Sequence, residues 1–310
     1  MRKGGRTPDH PQVLASELRR SHGGATIVEM PEFRTRALVL RTFDHGESDR
    51  LVHLYTEALG RVSALAKGAR RSRRRFPGTL ETFTVLDARI VEPPRASLLR
   101  LEGARLERPF EGLVNDLGRY AIACQLVEVL DRLTGEHESN PELFQFAIGV
   151  LDVLAAEVPD RLLALLVLTK TLAHLGYRPQ LLHCGVCGSV IGRSGGQVGF
   201  APRHGGAVCR VCCGAEEARV PAGLLRAVEE GIRTPLRERG RLALSAPQVH
   251  RAELLFERFF RFHIGVELKS TAFLRNTLGF EPVDADPTRE DAVPPRTGGV
   301  RGEPQTDRRV

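Results

Sequence analysis

Four cysteines constrain this chain more than any other feature. "HCGVCGSV" (residues 183–190) and "VCRVCCGA" (208–215) set Cys184, Cys187, Cys209 and Cys212 in a C-x2-C-x21-C-x2-C pattern, close to the spacing of a structural zinc site. Two residues between cysteines let both thiolates of a pair meet one ion about 2.3 Å from each sulfur. Gly185, Gly188 and Gly214 allow the tight backbone that such knuckles need. The intervening "GRSGGQVGFAPRHGGAV" is glycine-rich, with short alternating runs that suit the hairpin of a zinc ribbon. Four thiolates leave no open position, so the expected zinc ion is structural, not catalytic. Cys212 is expected as the fourth ligand. Its neighbour Cys213 is the alternative, with His183 and His204 as outside candidates.

Other cysteine chemistries fit less well. The N-terminus "MRKGGRTPDHPQVLASELRRSHGG" lacks the apolar core of a secretory signal. The longest apolar run, Leu162–Leu168, falls far short of the roughly 18 residues a membrane helix needs. A cytoplasmic protein without a membrane partner is therefore expected, and in that compartment disulfide frameworks are rare. A redox C-x-x-C would leave the second pair without a role. Deaminase zinc needs H-x-E followed by P-C-x-x-C; His45-Gly46-Glu47 matches the first part but falls in an expected strand turn, and His183 rather than proline precedes Cys184.

The chain divides by period. Residues 1–29 and 283–310 are polar, with glycine, arginine or proline and no sustained pattern, and are expected as a disordered extension and tail; translation from Met30 is the alternative for the first. Residues 30–108 hold five β-like runs: "TRALVLRTF", two within "RLVHLYTEALGRVSALAKG", "LETFTVLDARIVE" and "ASLLRLEGARLE". No stretch between them has room for a long helix, so a closed barrel of the OB type is predicted, with an SH3-like barrel as the competing form. Residues 109–282 shift to a period near 3.6. "LVNDLGRYAIACQLVEVLDRL" carries Leu113, Leu117, Tyr120, Ala121, Cys124, Val127 and Leu130 on one face. "NPELFQFAIGVLDVLAAE" offers Asn140 as N-cap and Pro141 at the first helical position. "PDRLLALLVLTKTLAHLGY" is apolar enough for a buried central helix, and "PAGLLRAVEEGI" and "APQVHRAELLFERFFRFHI" add two more. The expected fold class is α+β: an N-terminal five-stranded barrel, then a helical domain carrying a zinc ribbon at 182–215. Phe256, Phe259 and Phe260 read as core; Arg258, Arg261 and Lys269 beside them suit an acidic peptide.

A net charge of +7 points to an acidic partner, although only four of the 45 basic residues are lysines, so composition says less than clustering. "KGARRSRRRF" packs Lys67, Arg70, Arg71, Arg73, Arg74 and Arg75 into one loop between the third and fourth strands. Mutual repulsion should keep it mobile until an anion neutralises it, and arginine pairs bidentately with phosphate. Arg41 and Arg50, at strand ends, would extend the path. With no tryptophan and few barrel aromatics (Phe33, Phe43, Tyr55, Phe76, Phe83), backbone-driven, salt-sensitive binding is expected over sequence recognition. There is no G-x4-GK[ST] run, and the only lysine upstream of the barrel is Lys3, which disfavours a ligase. No enzyme is read here.

Together, "ALVLRTFDHGESDRLVHLYTEALGRVSALAKGARR", the "LETF" that follows, "HLGYRPQLLHCGVCG", "FAPRHGGAVCRVCC" and "LKSTAFL" resemble the RecO family of recombination mediators. The resemblance covers about residues 33–280. It implies an OB-fold, a helical domain and an inserted zinc ribbon, with Cys184, Cys187, Cys209 and Cys212 as ligands and the barrel with its basic loop as the DNA surface. It also implies non-catalytic work in DNA repair: binding single- and double-stranded DNA, annealing strands coated by single-strand-binding protein, and helping RecA load together with RecR. The alternative from another class is a zinc-ribbon and barrel adaptor in transcription or RNA metabolism.

Overall fold

The structure, a computed structural model, describes residues 30–279 except 73, 95–97, 193–194 and 266. The expectations for residues 1–29 and 283–310, and for Arg73, fall outside the described residues.

Strands β1 (Glu32–His45), β2 (Asp49–Thr56), β3 (Gly60–Ala66), β4 (Val85–Val91) and β5 (Leu99–Arg108) close into a barrel in the order β1-β2-β3-β5-β4. The long β1 makes closure possible. It pairs antiparallel with β4 through Glu32–Leu38 and with β2 through Ala37–His45, and a bulge between Val39 and Arg41 turns it from one partner to the other. A short parallel contact of Ala64 and Leu65 with Leu99 and Arg100 seals the other side. This is the five-stranded OB arrangement rather than an SH3-like one. Alternation places Val39, Leu54, Val62, Leu86, Ile90 and Leu101 fully inside.

Among the described residues six α-helices follow: α1 (Leu117–Leu133), α2 (Pro141–Ala156), α3 (Arg161–His174), α4 (Ala222–Arg233), α5 (Ala246–Ile264) and α6 (Lys269–Thr277). Asn140 accepts a hydrogen bond from the Leu143 amide and Pro141 opens α2, as the sequence predicts. Helix α3 touches α1, α2, α4 and α5 and is the buried central helix. Two boundaries differ from the sequence reading, and one helix is absent from it. α1 begins at Leu117 because the Asp116 carboxylate caps it; Leu113 is buried in a preceding 3-10 turn and Leu117 is exposed. α3 is capped by Asp160, leaving Pro159 just outside. α6 has no clear periodic signal of its own; the Glu128 carboxylate of α1 accepts from the Lys269 and Ser270 amides and supplies its missing cap.

Between α3 and α4 lies a three-stranded sheet of β6 (Gln197–Ala201), β7 (Gly206–Val208) and β8 (Ala218–Pro221), ordered β7-β6-β8. The phenylalanine stripe of α5 is core: Phe256 and Phe259 pack on Phe200 of β6, and Phe260 is buried among Val129, Leu172 and Leu268. Cys124 is half-buried in the helical core, and burial pushes its thiol up. The loop after α1 returns to the barrel. The His137 amide donates to the Arg61 carbonyl at 3.0 Å, Arg61 Nε to the Thr134 carbonyl at 3.0 Å, and Ser139 Oγ to the Glu57 carbonyl at 2.9 Å. Gly60, at φ +67°, sits where any Cβ would overlap the Glu138 carbonyl. Among the described residues, no helix is long and apolar enough to cross a membrane.

Candidate metal centre and nucleic-acid interface

The two cysteine pairs sit on knuckles held by backbone hydrogen bonds. The first is closed by Gly188 N to the Cys184 carbonyl (2.9 Å) and Cys184 N to the Ser189 carbonyl (2.8 Å); Gly188 takes φ +73°, which favours glycine. The second is closed by the Cys212 and Cys213 amides, both donating to the Cys209 carbonyl (3.1 and 2.9 Å). Pairing of β6 with β7 then brings the knuckles together. The sulfurs of Cys184, Cys187, Cys209 and Cys212 all lie within 4.8 Å of one another, with Cys187 Sγ and Cys209 Sγ 3.8 Å apart. Zinc–sulfur bonds of about 2.3 Å in a tetrahedron require sulfurs about 3.8 Å apart, so the donor set fits that ion. The Cys209 amide also donates to Cys184 Sγ at 3.3 Å.

The local electrostatics favour the thiolate at two of these cysteines and oppose it at a third. Hydrogen bonds from the Ser189 side chain and backbone bring the Cys187 thiol down to about 6, and bonding to the Cys212 backbone lowers Cys209. Cys212, hydrogen-bonded to Cys209 and Cys187 and facing both their charges, is pushed up to about 12. Cys187, Cys209 and Cys212 thus compete for protons, and a divalent cation would relieve that competition. The alternative ligands turn elsewhere. Cys213 packs its sulfur beside Gly199 of β6, and burial raises it, with Glu217 adding to the effect. His204 faces Glu217 and Arg203, and His183 is exposed on the strand bridge to Val190.

The basic loop lies where β1, β2 and β3 end. Its N-terminal part is pinned, in contrast to the expected mobile loop: Asp49 Oδ1 accepts from the Gly68 amide at 2.8 Å, and the Arg70 amide donates to the Ser48 carbonyl at 3.0 Å. Hydrogen bonds to Asp49, from the Gly68 amide first and from the Ser48 hydroxyl next, hold its carboxyl below its usual range. Arg75 donates to the Lys67 carbonyl at 2.7 Å, and its neighbour Phe76 plugs the barrel. Asp44 lies between Arg50 (3.6 Å) and Arg70 (3.8 Å), and Arg50 also reaches Glu81 at 3.3 Å. Among the described residues, no carboxylate ion-pairs with Lys67, Arg71, Arg74 or Arg75, and all four are exposed.

Arg41 is not part of this group. It projects from the opposite face of the β1–β2 ribbon, 3.5 Å from Asp131 of α1. Asp131 also accepts from His53 Nδ1 at 2.9 Å. Burial would raise its carboxyl, but the His53 hydrogen bond and the charges of His53 and Arg41 outweigh burial and hold it low. His53 and Asp131 are 78 residues apart in sequence, so no local pattern announces them. Asp49 carried a weak signal, as the residue that closes the "DHGESD" turn.

A family model described as recombination protein O N terminal matches residues 30–110. A second, recombination protein O C terminal, matches residues 114–272. The chain is 40% identical over 253 residues to the DNA repair protein RecO of Myxococcus xanthus, covering 79% of this chain and 98% of that protein. It is 36% identical over 251 residues to the protein of the same name from Anaeromyxobacter sp. strain K (79% and 96%), and 34% identical over 256 residues to that of Syntrophobacter fumaroxidans (79% and 98%).

Proposed function

Because the chain belongs to the RecO family of DNA repair proteins, we propose that it serves repair as a non-catalytic recombination mediator. In this reading the barrel unit, residues 30–108, binds single- and double-stranded DNA. The helical unit, residues 109–282, meets protein partners. The protein anneals complementary strands coated by single-strand-binding protein and, with RecR, helps RecA onto DNA, in the cytoplasm.

The observation that carries the reading is the exposed cation group at the barrel mouth. Lys67, Arg71, Arg74 and Arg75 project from a turn that Asp49 and Phe76 pin to the barrel; among the described residues none of them forms a close ion pair, although the Asp49 charge is felt at Lys67. Such a group releases counterions when it meets phosphates, which supplies affinity without regard to sequence. Annealing needs that combination: two like-charged strands approach only when their repulsion is screened, and their bases must stay free to pair. Arg50 and Arg70 are partly neutralised by Asp44 and belong to the edge of the surface. Cys184, Cys187, Cys209 and Cys212 would hold one structural zinc ion, whose part is to cross-link the two knuckles.

The test is annealing of complementary oligonucleotides coated with the cognate single-strand-binding protein, without nucleotide, for wild type and for a variant with Arg70, Arg71, Arg73, Arg74 and Arg75 replaced by alanine. Acceleration by wild type and not by the variant is expected. On duplex DNA, the slope of log affinity against log salt should fall by roughly 0.9 for each phosphate that the variant leaves unneutralised. An unchanged slope would move the DNA surface off this loop.

A further inference from the structure

The barrel's aromatic side chains are almost all consumed by packing. Tyr55, Phe76, Phe83 and Phe110 are buried, and Phe33 is partly buried. Phe43 differs: it is 41% exposed near the end of β1, one residue before the Asp44 that contacts Arg50 and Arg70. Its ring is held from two sides. The Arg41 guanidinium lies over the ring, 5.3 Å from its centroid, and the His53 ring meets it edge-on, 5.4 Å between centroids at 64°. Arg41 and Phe43 share a face of β1, and His53 is the cross-strand partner of Arg41 on β2. Asp131 completes the frame by holding both Arg41 and His53.

We infer that Phe43, framed by Arg41 and His53, is a stacking platform for one unpaired nucleobase. This rests on the proposed binding of DNA by the barrel and gives that binding a preference for single strands. Three features support it. With the guanidinium over one face of the partly exposed phenyl ring, the stack presents an aromatic or guanidinium surface of the kind on which unstacked bases settle. The platform lies on β1 next to the β1–β2 turn, a region that barrels of this type use for oligonucleotides. And the cationic loop begins beside the same turn, on the other face of the ribbon, so a strand bending over the turn can set its phosphates on the loop and a base on Phe43. In a duplex each base already has its faces covered by neighbours, so the platform is closed to it. The charge of Arg41 is largely matched by Asp131, so the contact adds affinity with little salt dependence.

The chain has no tryptophan, so Phe43→Trp installs a single fluorophore at the platform. It would be titrated with oligo(dT), with an abasic oligomer of equal length, and with a long duplex. Quenching by oligo(dT) alone is expected. In parallel, Phe43→Ala and Phe43→Leu should each lower oligo(dT) affinity about 10-fold at an unchanged salt slope, without altering affinity for the other two polymers. Leucine keeps the apolar volume, so a merely structural role for the ring would spare Phe43→Leu. Wild-type affinity in that variant, or equal quenching by the abasic or duplex polymer, would overturn the platform. Failure of wild type to bind any of the three would overturn the DNA reading, and the platform with it.

Discussion

The ribbon and the barrel mouth each gather side chains suited to meeting ions, yet they are built on opposite plans. At the ribbon, two knuckles converge until four sulfurs share a space under 4.8 Å across. The sulfurs face a common centre; hydrogen bonds from Ser189 hold Cys187 at about 6, while Cys209 and Cys187 push Cys212 up to about 12. At the barrel mouth the cations diverge into solvent from a turn pinned at Asp49 and Phe76. No shared centre exists, and the support beneath is the barrel's own apolar core. Convergence of this kind makes each residue hard to replace and would tie local shape to an ion held there. Divergence makes the residues interchangeable and leaves shape to the scaffold.

The strongest challenge to this contrast is Cys187→Ser. Metal binding supplies on the order of 10 kcal/mol or more to small zinc modules, so the variant should lose its metal and the ribbon its order. Elemental analysis should find no zinc, and hydrogen exchange should show amides of residues 184–212 unprotected while those of β1–β5 stay protected. Loss of protection in the barrel as well would show that the two regions are one folding unit. A smaller effect is expected at Gly60→Ala, where a positive φ and the Glu138 carbonyl both oppose a side chain. A destabilisation of about 2 kcal/mol should appear as a lower Tm with metal content unchanged.

The smallest effect concerns Asp131. Its carboxyl is held low in the folded protein, so it adds stability at pH values above the unfolded carboxylate range near 3.9, and that stability fades as pH falls through the folded value. Asp131→Asn should therefore cost about 1 kcal/mol at neutral pH, measured by denaturant unfolding, and the gap to wild type should close in acid. A gap that widened in acid would mean the Arg41–His53–Asp131 group works against the fold.

Legibility in the sequence followed the same division. The knuckles were readable to the residue because spacing is itself the specification, and only three-dimensional contact was needed to send Cys213 toward Gly199 and Cys212 toward the other sulfurs. Strand alternation and the cap at Asn140 likewise lie in contiguous residues. The basic loop was readable only as a class. Which arginines keep their charge free depends on Asp44 and Asp131, and Asp131 comes from a helix far along the chain. Phe43 looked like any other barrel aromatic, since exposure is a property of the closed sheet and not of the strand. Helix α6 escaped notice because its cap, Glu128, belongs to another helix.

The return of the α1–α2 loop onto the β2–β3 hairpin has a mechanical consequence. Three hydrogen bonds and the close approach at Gly60 fasten helices to barrel with little slack, so the junction behaves as a bracket and not as a hinge. A strand lying across the barrel mouth would have its heading fixed relative to anything seated on the helices. No swivelling freedom would then have to be frozen when both are engaged, which lowers the entropic cost of assembling them. In such an assembly, polarity would be transmitted by angle alone.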